Sequence, residues 1–529
     1  MVDEVAEILG ELDAAPVRPE PRRALRAAPL QAAAVNDPRD RLVPLSADSG
    51  SRPGVIRHAV EAVAVGRDGG VLLIGWLDDT DCPLDYIVVS CPAWRITFDA
   101  ASLVRVRRTD VDEALQTGAV HMFGYFGLVT AAALRDVPAS VQVELHLKNG
   151  GSAPSAHAVR GMTAEALRDL VLGYLASAAF LGNPQAEAVA ALDHGLGAQV
   201  VALNRTITER ITAARHVERF GVPGRQPAGS IVVCLYGKAE FLFVQNALFA
   251  GRKGIEDYEF IYVCNSPEIT DTLLAEARTA QMIYGLRQTI VLLPGNAGFG
   301  AANNAGATAA LGRRILCVNP DVFPRQLDWA AQHTALVDTL PAEQTRLFGV
   351  PLYYDDGSLM HGGMHFELDP AVVMRPGGVG RQRLARVEHY GKGAPASATT
   401  FTMSRPVPAI TGAFMSADRD WYQTLGGFNE DYVFGHYEDA DLCLKSFARG
   451  TPPWLHDLRL WHLEGKGSTR RSHHEGGSLV NRWLFTRQWA ATISDRMCGP
   501  APTHPAMTLQ GEATPPAPKR RRGRPEDAA

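Results

Sequence analysis

Three carboxylates fall within four residues in the run GGFNEDYVFGHYEDADLCLK at 426–445: Glu438, Asp439 and Asp441. Leu442, Leu444 and Phe447 have the spacing of a helix's buried face, so these acids belong to its first turn, where the helix dipole favours negative charge. Dipole compensation accounts for acids at such a place. Three of them, with two aromatic residues just upstream, exceed what a helix end requires, and one held against a hydroxyl group would act as a general base. A further acid, Asp321 in Asn319-Pro320-Asp321-Val322, follows an apolar run. It either caps the turn after Pro320 or holds a divalent cation that joins the protein to a diphosphate. In GNAGFGAANNAG (295–306) small residues let backbone approach a ligand, and a helix starting there would point free N–H groups at an anion. A plain tight helix start needs the same glycines, but the paired Asn303 and Asn304 are poor choices for a helix interior. His462 stands just before Gly465-Lys466-Gly467-Ser468. Its imidazole could be structural, or could ligate a metal or phosphate with Lys466 offsetting diphosphate charge.

The elements that must position these residues begin at about 229. Apolar runs at Ile231–Leu235, Phe260–Cys264, Thr289–Leu293 and Arg314–Val318 alternate with helical stretches from Glu240 to Ala250 and on through Met282. That alternation predicts a mainly parallel sheet covered on both faces, with ligands beyond the carboxyl ends of its strands. Upstream, residues 51–160 read as short strands (Val71–Leu77, Tyr86–Val89, and an alternating Val141, Val143, Leu145, Leu147) and predict a sandwich-like domain. Residues 161–224 read as a helical linker carrying helix to Phe220, ended by Gly221-Val222-Pro223-Gly224. Residues 1–50, with one short amphipathic helix over Val5, Ile8, Leu9 and Leu12, and the Pro-rich basic tail 496–529 are expected to be disordered.

The chain has 529 residues, 46% hydrophobic and 21% charged, with a net charge of -5. Two folded units are expected at this length, and the modest charge gives no reason to expect nucleic acid as the main partner. Seven scattered cysteines without a CxxC pair argue against a disulfide framework or a zinc site. The N-terminus is acidic and lacks a signal-like apolar region. The longest apolar stretch, Leu170 to Gly182, is short of the roughly 20 residues a membrane-spanning helix needs. A cytoplasmic protein is expected, with any membrane contact peripheral at the inner face.

Together the clusters NAGFGAANNAG, NPDV, GGFNEDYVFGHYEDADLCLK and HLEGKGS, in this order and spacing, resemble family 2 glycosyltransferases of the GT-A fold, in particular the bacterial rhamnosyltransferase-like branch, over 229–495. The segment NRWLFTRQW (481–489) resembles one that often follows in that family. The resemblance implies an α/β, Rossmann-like nucleotide-diphospho-sugar transferase domain and inverting hexosyl or deoxyhexosyl transfer to a glycan hydroxyl in surface or secreted polysaccharide synthesis. It implies Asp439, with Glu438 beside it, as the general base. Asp321 and His462 would hold Mg2+ or Mn2+. Tyr236, Asn265, Asn296, Gly298, Gly300, Asn303, Asn319 and Lys466 would bind the nucleotide-sugar donor. The sequence departs from the family at Cys234-Leu235-Tyr236-Gly237-Lys238, at Cys264 where a carboxylate is usual, and at Asn319 in place of the first acid of the DxD motif. A glycan- or nucleotide-sugar-binding protein of this fold without turnover is the alternative, against which the retained Asp321, Asp439 and His462 argue. Arg522-Gly523-Arg524-Pro525 resembles the core of a minor-groove AT-hook, though a solvated charge run is the simpler account.

Overall fold

The computed structural model describes residues 42–44, 55–116, 121–176, 189–221, 226–375, 378–463 and 472–497. The short helix expected over 5–12, the basic tail and Lys466 lie outside them.

Alternation of apolar and polar residues builds the first unit as two facing sheets, one of six strands and one of four. In Ser140–Leu147 the residues Val141, Val143, Leu145 and Leu147 point inward, and they meet Val63, Val65 and Leu73 of the opposite sheet. Gly70–Leu77 is buried along its whole length because it is central in its sheet, between Val55–Arg67 and Gly124–Thr130. A sandwich is the result, as its alternating strands require.

Two helices follow, α1 (Ala164–Ala176) and α2 (Gly197–Ala213). Helix does not continue to Phe220. His216–Phe220 is a strand, β1, antiparallel to β4 (Gln288–Leu292). It closes what would otherwise be an open sheet edge beside β4, a constraint invisible to local helical propensity.

The second unit is a nine-stranded sheet. Its parallel centre runs β4, β3 (Tyr258–Cys264), β2 (Gly229–Leu235), β5 (Arg314–Val318). Successive residues of these strands enter two different cores. Val232, Ile261, Val263 and Val291 pack with Ala301, Ala302 and Ala305 of α5 (Phe299–Ala309). Ile231, Val233, Phe260, Tyr262 and Ile290 pack with Leu242 and Phe249 of α3 (Phe241–Phe249) and Leu273 and Ala277 of α4 (Thr270–Tyr284). Both faces are therefore covered, and the apolar runs have the near-continuous hydrophobicity this demands.

Past the parallel centre the sheet turns antiparallel: β7 (Phe414–Asp418) pairs with β5, Phe414 opposite Val318. A smaller sheet joins β6 (Val322–Pro324) to β8 (Leu460–His462). Helix α6 (Glu438–Ala448) carries the carboxylate cluster, and the long helix α7 (Ser472–Arg496) ends the described chain. One contiguous apolar cluster runs from Leu72 and Phe126 of the sandwich, through α1 and α2, to Val480, Trp483 and Phe485 of α7 and Val232 of the second sheet. Among the described residues no helix is long and apolar enough to cross a membrane.

Buried imidazoles make this fold acid-sensitive. His456 is stacked on Phe348 with ring centroids 5.0 Å apart, and burial draws its pKa down to about 4. Burial likewise holds His333 and His361 well below the ordinary value. An unfolded chain takes up these protons near pH ~6.5. The folded state thus binds fewer protons between those values, so the contribution is intact above about pH 6.5 and lost as pH falls through about 4. The melting temperature is expected to drop between pH 7 and pH 5, with a shallower drop in His456→Leu. An unchanged slope in that variant would clear His456 of the effect.

Candidate active site

The clusters picked out in sequence meet at the carboxyl ends of the parallel strands. At the end of β2, Tyr236 is half-buried and the Gly237 N–H donates to Ser266 Oγ at 2.8 Å. After β3, the Asn265 side chain accepts from Ala297 N–H at 2.8 Å and donates to Asn296 Oδ1 at 3.0 Å; Asn296 Oδ1 also receives the Gly298 N–H at 2.9 Å. These two asparagines fix the path of the loop at 296–298. Gly298 has φ 84°, and a Cβ there would stand 3.2 Å from the Phe434 backbone, so a side chain would be strained and would press on the 434 turn. The Phe299 N–H donates to the Phe434 carbonyl, and Gly300 follows in the first turn of α5. Cys264 is fully buried and donates its thiol to the Ser266 carbonyl at 3.2 Å.

The paired asparagines of α5 have structural partners. Asn303 is buried and donates to the Phe299 carbonyl at 2.9 Å. Asn304 accepts from Tyr422 Oη at 2.7 Å and Phe428 N–H at 3.0 Å, and donates to the Phe428 carbonyl and to Glu430 at 2.9 and 2.8 Å. It latches the 427–430 turn to the helix.

Asp321 and His462 are 141 positions apart in sequence (462 minus 321), and the pairing of β6 with β8 makes them neighbours. Val322 is opposite His462, and the Leu463 N–H donates to the Asp321 carbonyl at 3.0 Å. His462 Nε2 lies 3.3 Å from Asp321 Oδ1, both side chains are buried, and His462 Nδ1 has no partner among the described residues. Two donors bound side by side to one small octahedral cation at ~2.1 Å are ~3 Å apart, so the pair fits as the protein share of a coordination shell. Among the described residues no set of three or more His, Cys, Asp or Glu could hold an ion. Two protein donors leave the other positions of such a shell to ligands from outside the chain, an arrangement Mg2+ commonly has. Asn319 sits beside the pair. Its N–H donates to the Ala413 carbonyl at 2.9 Å, and its carbonyl accepts from buried Gln245 at 3.0 Å. A shallow cavity of about 390 Å³ opens next to these strands, lined by Leu248, Phe323, Pro324, Asp355, Trp461 and Leu463.

The three acids of α6 have different surroundings. Asp441 is fully buried and spent, receiving Trp489 Nε1 at 2.7 Å and pairing with Lys445 at 2.8 Å. Glu438 is buried, its Oε2 has no hydrogen-bond partner among the described residues, and burial together with the charge of Asp439 pushes its pKa up to about 8. Asp439 is half-buried, accepting the Gly412 N–H at 2.9 Å and the Ala440 N–H at 2.7 Å. Gly412 is one residue from Ala413, which binds Asn319, so a short backbone path links Asp439 to the Asp321–His462 pair.

The approach to α6 is strained. Phe434, His436 and Tyr437 have φ of 60°, 81° and 75°, a region costing roughly 1–3 kcal/mol for each non-glycine residue. Contacts from several elements hold it. The Arg168 guanidinium of α1 lies 4.2 Å over the Phe434 ring, Arg205 of α2 pairs with Asp431 at 2.7 Å, and Asn481 of α7 hydrogen-bonds the backbone at 433–436. Gly412 and Gln245 carry no mark in the sequence, and Asn481 is marked there only as the first residue of NRWLFTRQW. Gly412 lies in a stretch without a readable motif, and a Cβ there would stand 3.1 Å from the Phe299 ring.

A mixed α/β fold with a polar site at the carboxyl edge of a parallel sheet is the class that fold and site define. No family model matches the chain. Uncharacterized protein y4gI of Sinorhizobium fredii is 28% identical over 228 residues, 42% of this chain and 23% of that protein, so the match spans under a quarter of the relative's length. Solved structures with similarity include three glycosyltransferases. The mannosyltransferase PcManGT of Pyrobaculum calidifontis, in complex with GDP-Man and Mn2+, is 14% identical, covers 63% of this chain and 88% of its own, and has a TM-score of 0.32. GalNAc-T7 with UDP, GalNAc and Mn2+ is 13% identical, with 51% and 50% covered and a TM-score of 0.34. S. aureus TarS 1-349 is 12% identical, with 50% and 73% covered and a TM-score of 0.30. Scores this low carry no weight for the chemistry, and the α/β architecture rests on the strand order and pairing above.

The raised pKa of Glu438 has a stability consequence of definite sign. The folded state holds a proton that an unfolded carboxyl releases near pH ~4.3, so its contribution is present below that pH and lost as pH rises through about 8. Glu438→Gln is expected to melt higher than wild type at pH 8, the difference closing below pH 4.5. Equal melting temperatures across the range would mean that Glu438 ionises freely.

Proposed function

We propose that the chain is an inverting glycosyltransferase that moves a hexosyl or deoxyhexosyl group from a nucleotide diphospho-sugar to a hydroxyl of a glycan acceptor, in surface or secreted polysaccharide synthesis at the cytoplasmic side of a membrane. One observation carries this reading. Three stretches far apart in sequence, ending in Asp321, Asp439 and His462, come to one edge of the sheet, joined through Asn319, Ala413 and Gly412.

In this reading Asp439 takes the proton of the acceptor hydroxyl as its oxygen attacks the anomeric carbon, while the bond from that carbon to the diphosphate breaks. The Gly412 N–H fixes one carboxylate oxygen, which orients the carboxylate toward the acceptor. The loop from Asn296 to Gly300 and the start of α5 face the diphosphate, Tyr236 and Asn319 border the nucleotide, and Lys466 supplies positive charge. Asn265, Asn296 and Asn303 act through the shape of that loop. Asp321 and His462 would hold Mg2+ or Mn2+, which when bound supplies charge stabilisation for the departing diphosphate.

Asp439→Asn is expected to lower kcat by about 10²–10⁴ while nucleoside diphosphate affinity stays at the wild-type value; wild-type turnover in that variant would remove Asp439 from the role. Asp321→Ala and His462→Ala are each expected to abolish the gain in nucleoside diphosphate affinity that Mn2+ gives, read by calorimetry with and without the ion. Undiminished Mn2+ dependence in both would refute the metal assignment.

A further inference from the structure

We infer that Asn481, on the C-terminal helix α7, is a positioning residue for Asp439: its carboxamide replaces the backbone hydrogen bonds that the left-handed turn before α6 cannot make for itself. The inference rests on the transferase reading for its catalytic consequence, and on the geometry of the turn for the rest.

Asn481 is fully buried. Its Oδ1 accepts the Val433 N–H at 2.7 Å, and the two N–H donors of its Nδ2 are shared among the carbonyls of Val433, Gly435 and His436 at 2.9, 2.6 and 3.2 Å. These carbonyls converge on one nitrogen because the chain passes through left-handed φ at Phe434, His436 and Tyr437. Inside the turn the backbone makes the short bond from Gly435 N–H to the Val433 carbonyl, and Tyr437, the N-cap residue of α6, gives the helix no side-chain cap. The direction in which α6 starts is therefore set from outside, by Asn481 on one side and by the Phe299 N–H on the Phe434 carbonyl on the other. Asp439 is two residues past Tyr437, and its bond to Gly412 holds only while that direction holds.

A primary amide is the side chain that suits this task. It offers an acceptor and two N–H donors on a short stem. Aspartate keeps the shape and loses the donors, facing three carbonyls with oxygen; glutamine displaces the amide by a methylene; alanine removes it. Trp483, two residues on, is the control on the same helix, because its Nε1 donates to Asp193 at 2.8 Å and not to the backbone of the turn.

The test uses the full chain and the variants Asn481→Asp, Asn481→Ala and Trp483→Phe, with two readouts. Steady-state transfer should show kcat per folded molecule lower by about 100-fold in both Asn481 variants, as for an ångström-scale misplacement, with donor KM within about twofold of wild type. Trp483→Phe should lower the melting temperature and leave kcat per folded molecule at the wild-type value. Amide hydrogen exchange should be faster over 433–441 in both Asn481 variants, while α5 stays protected. Wild-type protection at 433–441 in both, wild-type kcat per folded molecule, or an equal kcat loss in Trp483→Phe would each overturn the inference. If wild type turns over no sugar nucleotide, the transferase reading fails by itself, and the exchange data alone decide whether Asn481 holds the turn.

Discussion

The backbone from Val433 to Glu438 has three non-glycine residues on the left-handed side of φ, and the site depends on its staying there. Such a path is not self-supporting, since its carbonyls and N–H groups cannot pair as they do in a helix or a strand. Asparagine side chains supply what is missing. Asn304 reaches the turn at 427–430 from α5, Asn204 donates to the Glu430 carbonyl from α2, and Asn481 binds 433–436 from α7. A carboxamide is a peptide group on a short tether, so one helix can lend a hydrogen-bonding unit to a segment belonging to another. Asn481 thereby offsets the strain directly, while the bonds from α5 and α2 anchor the turn just before it.

That arrangement explains why the sandwich and the α/β sheet share a core. Arg168 projects from the helix that leaves the sandwich, is buried, and is held by Asn204 at 3.1 Å and Asp169 at 3.0 Å. With those partners its guanidinium can lie over Phe434 without leaving an unsatisfied buried charge, which would cost several kcal/mol (roughly 3–5). On the other side, Thr130 at the end of a sandwich strand donates its backbone N–H and its hydroxyl to Gln199 of α2 at 2.8 and 2.7 Å. Sandwich, linker helices and turn are thus connected by bonds whose geometry is fixed at each step. The N-terminal unit works as part of the frame that fixes where Asp439 stands.

Much of this was readable from residue order alone. The four apolar runs from Ile231 to Val318 became parallel strands, because a strand buried on both faces needs continuous hydrophobicity and a helix of similar length does not. Alternation at 141–147 gave the sandwich in the same way. The strand at His216–Phe220 could not be read, because it exists to satisfy the edge of β4, 70 residues downstream. Within the site, chemically distinctive residues such as Asp321, Asp439 and His462 were visible. Gly412 and Gln245 were not, because their contribution is a backbone N–H and a buried amide at positions defined only by tertiary packing. Asn303 and Asn304 show the opposite limit: their poor helix propensity signalled a purpose, and the purpose is internal, a back-bond and a latch.

The adjacent pair Glu438 and Asp439 follows from the same packing. Two carboxylates on adjacent residues would set two like charges side by side, and such an interaction at ~6 Å and an effective dielectric of ~20 is worth ~3 kcal/mol. The structure avoids the second charge through unequal solvation. Glu438 turns inward, where it lacks a partner for Oε2 and retains its proton to about pH 8. Asp439 turns toward Gly412 and half toward solvent, accepting two backbone N–H bonds. One peptide unit of rotation at the start of α6 separates these two environments. The left-handed turn sets that rotation, so the same backbone strain that Asn481 holds in place also determines which of the two acids turns inward and which faces Gly412.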